Sequence, residues 1–269
     1  MGNESSKKHG SESANLVAGP KKKGVGLNFK SSLTSGMILK HINNAQKSRI
    51  LQLRDCSLKH MPEQLLEVNE ILRNLDLSQN RIRSLPSSIG TFSNLKQLHF
   101  SANELTFVPD DIGLLKRLEV LSLDNNQLFS LPDGFVGLSN LTSLKLSRNK
   151  FEEFPKVLCH LASLDNLDMS SNLIEQLPDE VKELQVSELN LNQNRLNSLN
   201  VNLTFCRRLR TLRVEENCLK KTDFSQEFLV NSNVSLIAYA GNLFQDKDFQ
   251  DRPGYEEYQS RYTATKRKM

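Results

Sequence analysis

The sequence has few cysteines and no long apolar run. Its 269 residues include four cysteines (Cys56, Cys159, Cys206 and Cys218), none in a CxxC pair or a Cys/His cluster with the spacing of zinc ligands. Cysteines this few and scattered do not build a disulfide scaffold, so we expect reduced thiols in a cytosolic compartment. No stretch approaches the roughly 18 apolar residues of a membrane-spanning helix. Residues 1–15 lack the apolar segment of a secretory signal peptide. We therefore expect neither an integral membrane protein nor a Sec-exported one.

Most of the chain also lacks an excess of charge of one sign. The formal net charge is +4, and residues 1–36, with six lysines against two glutamates, account for all of it. A nucleic-acid-binding protein usually spreads basic charge over its folded surface. We therefore expect no nucleic-acid partner.

What the sequence does contain is an internal repeat. From residue 72, the segments LRNLDLSQNRI, LKQLHFSANEL, LEVLSLDNNQL, LTSLKLSRNKF and LDNLDMSSNLI follow at intervals of 23 residues. Weaker copies begin at residues 48, 186, 209 and 234. The nine copies follow one template, with apolar residues at places 1 (Ser48 apart), 4, 6 and 11. Place 9 holds Cys56, Asn80, Asn103, Asn126, Asn149, Asn172, Asn194, Asn217 and Asn242.

This pattern resembles the leucine-rich repeat family, and within it the intracellular class whose 23-residue repeats contain Leu-Pro. The resemblance implies an α/β solenoid, with a curved parallel sheet on the concave side and short 3-10 or α turns on the convex side. In physical terms, places 3 to 5 form a short strand that sends places 4 and 6 inward and places 3, 5 and 7 outward. A single repeat cannot bury its own apolar side, so the repeats must stack.

Two further places in the repeat have a physical role. The amide at place 9 carries both donors and an acceptor, so we expect it to bond to the backbone of its own and the adjacent turn. Proline recurs at 62, 86, 109, 132, 155 and 178, where it fixes φ and removes an N–H group. These prolines predict short 3-10 or α turns on the convex side.

The domain organisation follows from these patterns. We expect residues 1–36 to be a disordered basic tail and residues 37–49 to be an N-terminal cap helix, with Ile38, Leu39, Ile42 and Ala45 at helical spacing. Residues 50–250 form the solenoid of about nine repeats. Residues 251–269 are the candidate C-terminal cap and basic tail, which would pack through Tyr255, Tyr258 and Tyr262.

The first residues match a lipidation signal. Met1 to Ser6 fit the pattern M-G-x-x-x-[ST], which predicts myristoylation of Gly2. One myristoyl chain binds membranes only marginally, at about 10^4 per molar, so a second signal is needed. Basic residues near an anionic inner leaflet can supply it; the candidates are Lys7, Lys8, Lys21, Lys22 and Lys23. The alternative is that these lysines only solvate the tail.

One row of residues superficially resembles a hydrolase triad. Asp76, His99 and Ser122 all occupy place 5, so they should lie on adjacent strands about 4.8 Å apart. An open, solvated sheet offers no oxyanion hole and no water-excluding pocket. We therefore predict no catalytic site, and the sequence gives no sign of a metal or cofactor.

The concave face is the remaining candidate site. Its predicted partner-binding residues are Asp76, His99, Ser122, Asp124, Lys145, Arg148, Asp168, Asn190, Asn192, Arg213 and Glu215. Places 7 and 8 lack the aromatic anchors that are usual at binding hot spots. The first hypothesis is a monomeric, non-catalytic adaptor, cytoplasmic and lipid-anchored, that presents this face to an unidentified cytosolic signalling protein. The second is a soluble regulatory subunit of a phosphatase or of a GTPase-pathway enzyme.

Overall fold

Each repeat contributes one three-residue strand at places 3 to 5, as the template predicts. The computed structural model describes residues 35–267, all within the unit Ser31–Met269. In this part of the chain the strands are β1 (Ile50–Gln52), β2 (Asn74–Asp76), β3 (Gln97–His99), β4 (Val120–Ser122), β5 (Ser143–Lys145), β6 (Asn166–Asp168), β7 (Glu188–Asn190), β8 (Thr211–Arg213) and β9 (Leu236–Ala238). Residues 1–34 of the predicted tail, with Gly2 and the five lysines expected at the membrane, lie outside the described residues.

The strands form one parallel sheet in which chain order equals spatial order, from β1 to β9. Equivalent places pair across every step; Leu75, for example, pairs with Leu98, and Leu98 with Leu121. The leucines at place 4 are almost completely buried, because alternation directs them away from the concave face and into the stack. The fold class is therefore the one predicted from the sequence.

The chain leaves each strand through a left-handed residue at place 8. The non-glycine residues here have φ between 53° and 58°: Asp55, Gln79, Ala102, Asn125, Arg148, Ser171, Gln193 and Glu216. Gly241 takes the same place in the last repeat with a φ of 76°. L-residues adopt this conformation at a cost. The surrounding structure must therefore hold it in place.

The asparagine column supplies that support. Asn149 shows the pattern: its Nδ2 donates to the carbonyls of Leu123 and Leu146, both at 3.0 Å, and its Oδ1 accepts from the N–H of Leu128 at 3.0 Å. One carbonyl belongs to its own repeat and the other two groups to the preceding repeat. The same three kinds of bond recur at Asn80, Asn103, Asn126, Asn172, Asn194, Asn217 and Asn242. The predicted role of place 9 agrees with these contacts.

On the convex side, proline starts a 3-10 helix in each of the first six repeats. The helices span Glu63–Val68, Ser87–Thr91, Asp110–Leu114, Asp133–Gly137, Lys156–His160 and Asp179–Glu183. Each is preceded by a proline in extended conformation, with φ from −63° to −74°. In the seventh repeat Asn200 replaces proline before Val201–Phe205, and its side chain accepts from the Asn202 N–H at 2.9 Å. A side-chain cap thus replaces the conformational restriction of proline.

Glycine permits the closest approach between two of these helices. A Cβ at Gly113 would lie 2.0 Å from the carbonyl oxygen of Gly134, and one at Gly134 would lie 2.2 Å from that of Asp110. Backbones therefore touch directly here, and no larger residue fits without displacement.

Helix α1 (Ser35–Ser48) covers the N-terminal end of the stack. It begins two residues before the predicted start. Ile38, Ile42 and Ala45 are buried, as their helical spacing suggests. Leu39, expected on the same face, is instead 42% exposed. One step along a helix turns the side chain by about 100°, so Leu39 cannot share the stripe of Ile38.

The C-terminal end carries three short helices: α2 (Gln226–Asn231), α3 (Asp246–Gln250) and α4 (Tyr255–Lys266). The Tyr258 hydroxyl accepts from the N–H of Ile237 in β9 at 3.1 Å. Arg261 donates to the carbonyls of Val230 and Val234, both at 3.1 Å. Together with α4 these contacts cover the last strand and satisfy backbone groups that an open edge would leave unpaired.

Replacing Asn149 with alanine should destabilise the stack. The change leaves the Leu128 N–H without a partner in a buried turn and removes one of the two amide donors at the Leu123 and Leu146 carbonyls. We therefore expect the free energy of unfolding to fall by about 1 to 3 kcal/mol. Urea denaturation followed by circular dichroism measures the loss. The exposed Asn166→Ala is the matched control, with an expected change of about 0.5 kcal/mol or less. Equal effects of the two substitutions would contradict the role assigned to the column.

Candidate functional site

The last residue of each strand lies on the concave face, and these residues form a row across the sheet. In consecutive pairs they are in register from β2 to β8. The row brings together seven of the predicted partner-binding residues: Asp76, His99, Ser122, Lys145, Asp168, Asn190 and Arg213. The other four, Asp124, Arg148, Asn192 and Glu215, follow two or three residues after the ends of their strands.

The triad-like row contains only one of the two contacts that a triad needs. His99 Nδ1 lies 2.9 Å from Ser122 Oγ. The Asp76 carboxylate, however, accepts from the backbone N–H of Ser78 at 2.8 Å. Ser122 is itself only 5% exposed. Asp76 therefore fixes the local backbone and does not orient the imidazole, as a triad would require.

The same local bond recurs at two further positions. Asp168 accepts from the N–H of Ser170 at 3.0 Å, and Asn190 accepts from the N–H of Asn192 at 3.1 Å. These are Asx-type turns, in which a side-chain oxygen captures the N–H two residues on and so ends the strand. Part of the hydrogen-bonding capacity of the predicted site is therefore used within the fold.

Towards β8 the concave face is organised by pairs between repeats. The Nδ2 of Asn192 donates to Glu215 at 2.7 Å, and the Glu215 N–H donates back to Asn192 Oδ1 at 2.8 Å. Arg213 donates to Glu188 at 2.8 Å. Nearer the middle of the sheet, Ser101 donates to Asp124 at 2.7 Å. These bonds hold the side chains in fixed positions before any partner arrives.

A shallow pocket lies at the middle of this face. It has a volume of about 300 Å³, and its polar lining consists of Ser143, Lys145, Asn166, Asp168, Glu188 and Asn190. Leu144 and Leu167, whose side chains are buried in the stack, complete the lining. The pocket thus contains one exposed cation, Lys145, together with two carboxylates and three neutral polar groups. Such an arrangement suits the binding of a polar protein surface.

Three of these lining residues were not among the predicted site residues. Ser143, Asn166 and Glu188 occupy place 3 of their repeats. Strand alternation puts place 3 on the same face as place 5, so the signal was present in the template itself. The predicted residues all occupy places 5, 7 and 8, so the prediction does not include place 3.

The buried thiols offer no reactive nucleophile. All four cysteines are free. Burial raises the pKa of both Cys159 and Cys206 to about 12, so their thiols stay protonated at neutral pH. Burial, followed by the nearby Asp55 carboxylate, also raises the pKa of Cys56. Across residues 35–267 no group of three or more His, Cys, Asp or Glu side chains could hold a metal ion.

None of the helices in the described part of the chain has the length and apolar character needed to cross a membrane.

Comparisons with known proteins agree with this geometry. Two family models match, one described as a leucine-rich repeat region over residues 27–144 and one as a leucine rich repeat over residues 116–174. The fold is a leucine-rich repeat solenoid. Such repeat proteins act in general in protein–protein interaction, and the matching models describe repeats of this kind.

A curated relative matches over a short part of the chain. It is the plant intracellular Ras-group-related LRR protein 7 of Oryza sativa subsp. japonica, 33% identical over 67 residues, which is 25% of this chain and 26% of that protein. The match thus spans about a quarter of the relative's length.

Solved structures match over most of the solenoid. The Leptospira interrogans LRR protein LIC12759 is 27% identical, with a TM-score of 0.67 over 80% of this chain and 62% of that one. Internalin C2 of Listeria monocytogenes is 21% identical, with a TM-score of 0.61 over 71% of this chain and 80% of that one. The second likeness concerns the fold alone.

Because Asp76 accepts a hydrogen bond from the backbone and Ser122 is buried, Ser122 should not react as a hydrolase nucleophile. We expect no covalent labelling of the folded protein by a fluorophosphonate probe, detected by intact-mass spectrometry. A serine hydrolase run in parallel shows that the probe is active. Labelling that disappears in Ser122→Ala would contradict this interpretation.

Proposed function

We propose that the protein is a non-catalytic adaptor whose concave face binds a cytosolic signalling protein. The observation that carries the proposal is the in-register row of polar side chains, prearranged by bonds such as Asn192 to Glu215 and Arg213 to Glu188. Side chains that are already ordered lose less conformational entropy when a partner binds. The Arg213–Glu188 ion pair, the Glu215 carboxylate and the exposed Lys145 give the face a charge pattern that can select a partner.

Three similarities support this proposal. The name of the rice relative describes that protein as intracellular and Ras-group-related. The 23-residue Leu-Pro repeat resembles the same intracellular class. The C-terminal motifs, ENCL at 216–219, GNLF at 241–244 and GYxxY at 254–258, resemble those of leucine-rich repeat-containing protein 57.

The membrane part of the proposal rests on the sequence. Gly2 within M-G-x-x-x-S is the proposed myristoylation site. Lys7, Lys8 and the run Lys21 to Lys23 supply the second, electrostatic contact with the inner leaflet, at about 1 kcal/mol for each residue near the surface. Two weak signals together give stable but reversible anchoring.

Gly2→Ala should move the protein from the membrane fraction to the cytosol, because alanine cannot be N-myristoylated and the lysines alone bind weakly. Fractionation of cells grown with an alkyne analogue of myristate measures both distribution and acylation. Asn3→Ala, which leaves the acceptor glycine in place, is the control and should behave like the original protein. An unchanged distribution of Gly2→Ala would favour the alternative, a soluble regulatory subunit whose lysines only solvate the tail.

The concave face is tested by the triple variant Asp124→Ala, Lys145→Ala and Asp168→Ala. We expect the set of proteins labelled by a fused proximity-labelling enzyme to lose its main members, since three of the charges that distinguish the face are removed. The control is Asp133→Ala, Lys182→Ala and Asp251→Ala, with the same charge change at exposed positions off the concave sheet. Both variants must keep the original melting temperature within a few degrees. Equal labelling by the two variants would show that the partner binds elsewhere.

A further inference from the structure

The segment that follows each asparagine forms a second, separate surface along the stack. Places 11 and 14 are buried in most repeats, as with Ile82 and Leu85 or Leu105 and Val108. The two residues between them, places 12 and 13, therefore project into solvent. We call this line of residue pairs the rim.

The rim is continuous because the backbone pairs from repeat to repeat beside it. The N–H at place 10 donates to the carbonyl at place 11 of the preceding repeat, as in Arg81 to Leu58 at 2.7 Å and Glu104 to Ile82 at 3.0 Å. The same bond joins Lys150 to Leu128 at 2.7 Å. Rim residues of successive repeats are thus held at the spacing of neighbouring strands, about 4.8 Å.

The first two repeats give the rim a basic end. Lys59 and His60 occupy places 12 and 13 of the first repeat, and Arg83 occupies place 12 of the second; all three are exposed. With Arg81 and Glu104 they line a depression of about 310 Å³. Arg83 donates to Glu104 at 2.9 Å, yet 79% of its side chain remains exposed. Such an exposed pair is weak and leaves Arg83 available to a partner.

The next two repeats place aromatic side chains in the centre. Phe107 is 50% exposed and Phe129 is 63% exposed, and their backbones lie one repeat apart. Single exposed apolar residues are ordinary, but two exposed phenylalanines on adjacent repeats offer two apolar contacts to a partner that lies along the rim. Aromatic anchors of this kind dominate hot spots, and the concave columns at places 5, 7 and 8 contain none.

The fifth and sixth repeats give the rim an acidic end. Glu152 and Glu153 are exposed at places 12 and 13, and Glu175 is exposed at place 12 of the following repeat. They line a depression of about 590 Å³, together with Lys156 and Arg195. The ammonium of Lys156 is paired with Glu180 at 2.8 Å, and Arg195 lies one repeat further along. An excess of negative charge therefore remains.

We propose that the rim binds an extended peptide segment of a partner protein whose side chains run from acidic through apolar to basic. Charge complementarity fixes this order, because the rim itself runs from basic through aromatic to acidic. The rim runs from the first to the sixth repeat, and the five spacings of about 4.8 Å between these repeats add up to about 24 Å. An extended peptide at about 3.3 Å per residue covers this length with seven to eight residues. The surface is separate from the concave face, so this interaction stands independently of the adaptor function proposed for that face.

The test uses a synthetic peptide of about eight residues, with an acidic block, a Leu/Phe block and a basic block, labelled for fluorescence anisotropy. A peptide of the same composition with its charges interleaved is the control. We expect the block peptide to bind the full chain at least tenfold more tightly, and added salt to weaken its binding. Equal affinity of the two peptides would overturn the proposal.

Variants then locate the binding. Phe107→Ala with Phe129→Ala should weaken block-peptide binding at least tenfold while leaving the fold intact, because both rings are exposed. The triple variant Glu152→Lys, Glu153→Lys and Glu175→Lys makes the acidic end of the rim basic. It should bind a peptide whose basic block is replaced by a second acidic block more tightly than it binds the original block peptide. The triple variant Asp124→Ala, Lys145→Ala and Asp168→Ala should bind the block peptide normally. Loss of binding in this concave variant, or full binding after the phenylalanines are removed, would place the peptide elsewhere and contradict the proposal.

Discussion

The structure depends on one constraint: a chain that leaves a strand after three residues exposes backbone groups inside a dry stack, and each needs a partner. The asparagine at place 9 meets it with one amide, which bonds two carbonyls and one N–H group and joins its own repeat to the one before. The same bonds hold place 8 in the left-handed conformation that redirects the chain. Cys56, at the head of the column, has no preceding repeat to bond, and its Sγ donates to the carbonyl of Arg54 in its own repeat at 3.2 Å. A residue without a side-chain amide is therefore tolerated at place 9 of the first repeat, because no repeat precedes it.

The sequence predicts those features that one residue type imposes at a fixed interval. Leucine at place 4, asparagine at place 9 and proline at place 15 give the strands, the column and the 3-10 helices, because each acts through local geometry that the repeat copies. The left-handed place 8 was not predictable in this way. Residues as different as Arg148, Ala102 and Glu216 occupy it. Its conformation comes from the bonds on either side and not from its own preference, so composition carries no signal.

The concave site was predicted in outline but not in its internal contacts. Strand alternation correctly placed Asp76, Lys145 and Asp168 in one row. It could not show that the carboxylates of Asp76 and Asp168 each accept a hydrogen bond from the backbone N–H two residues later. An outward-facing aspartate occupies the same place in the repeat whether or not it makes this bond. The ends of the stack were harder still. The template stops there, and side chains such as Tyr258 and Arg261 act on backbone groups more than twenty residues away.

The two exposed surfaces differ in how their charges vary along the stack, and this difference limits what each can bind. On the concave row, Lys145 and Asp168 are of opposite sign in adjacent repeats, about 4.8 Å apart. An extended chain laid across the strands advances about 3.3 Å per residue, so it falls out of step with such an alternation within two repeats. A folded partner, whose surface groups need not follow a chain, can match it. On the rim the sign changes only once over six repeats, with aromatic rings between the two ends. A peptide whose residue spacing differs from the repeat spacing still places its acidic, apolar and basic blocks opposite the rim segments that complement them. The rim therefore tolerates the difference in spacing, and the concave row does not.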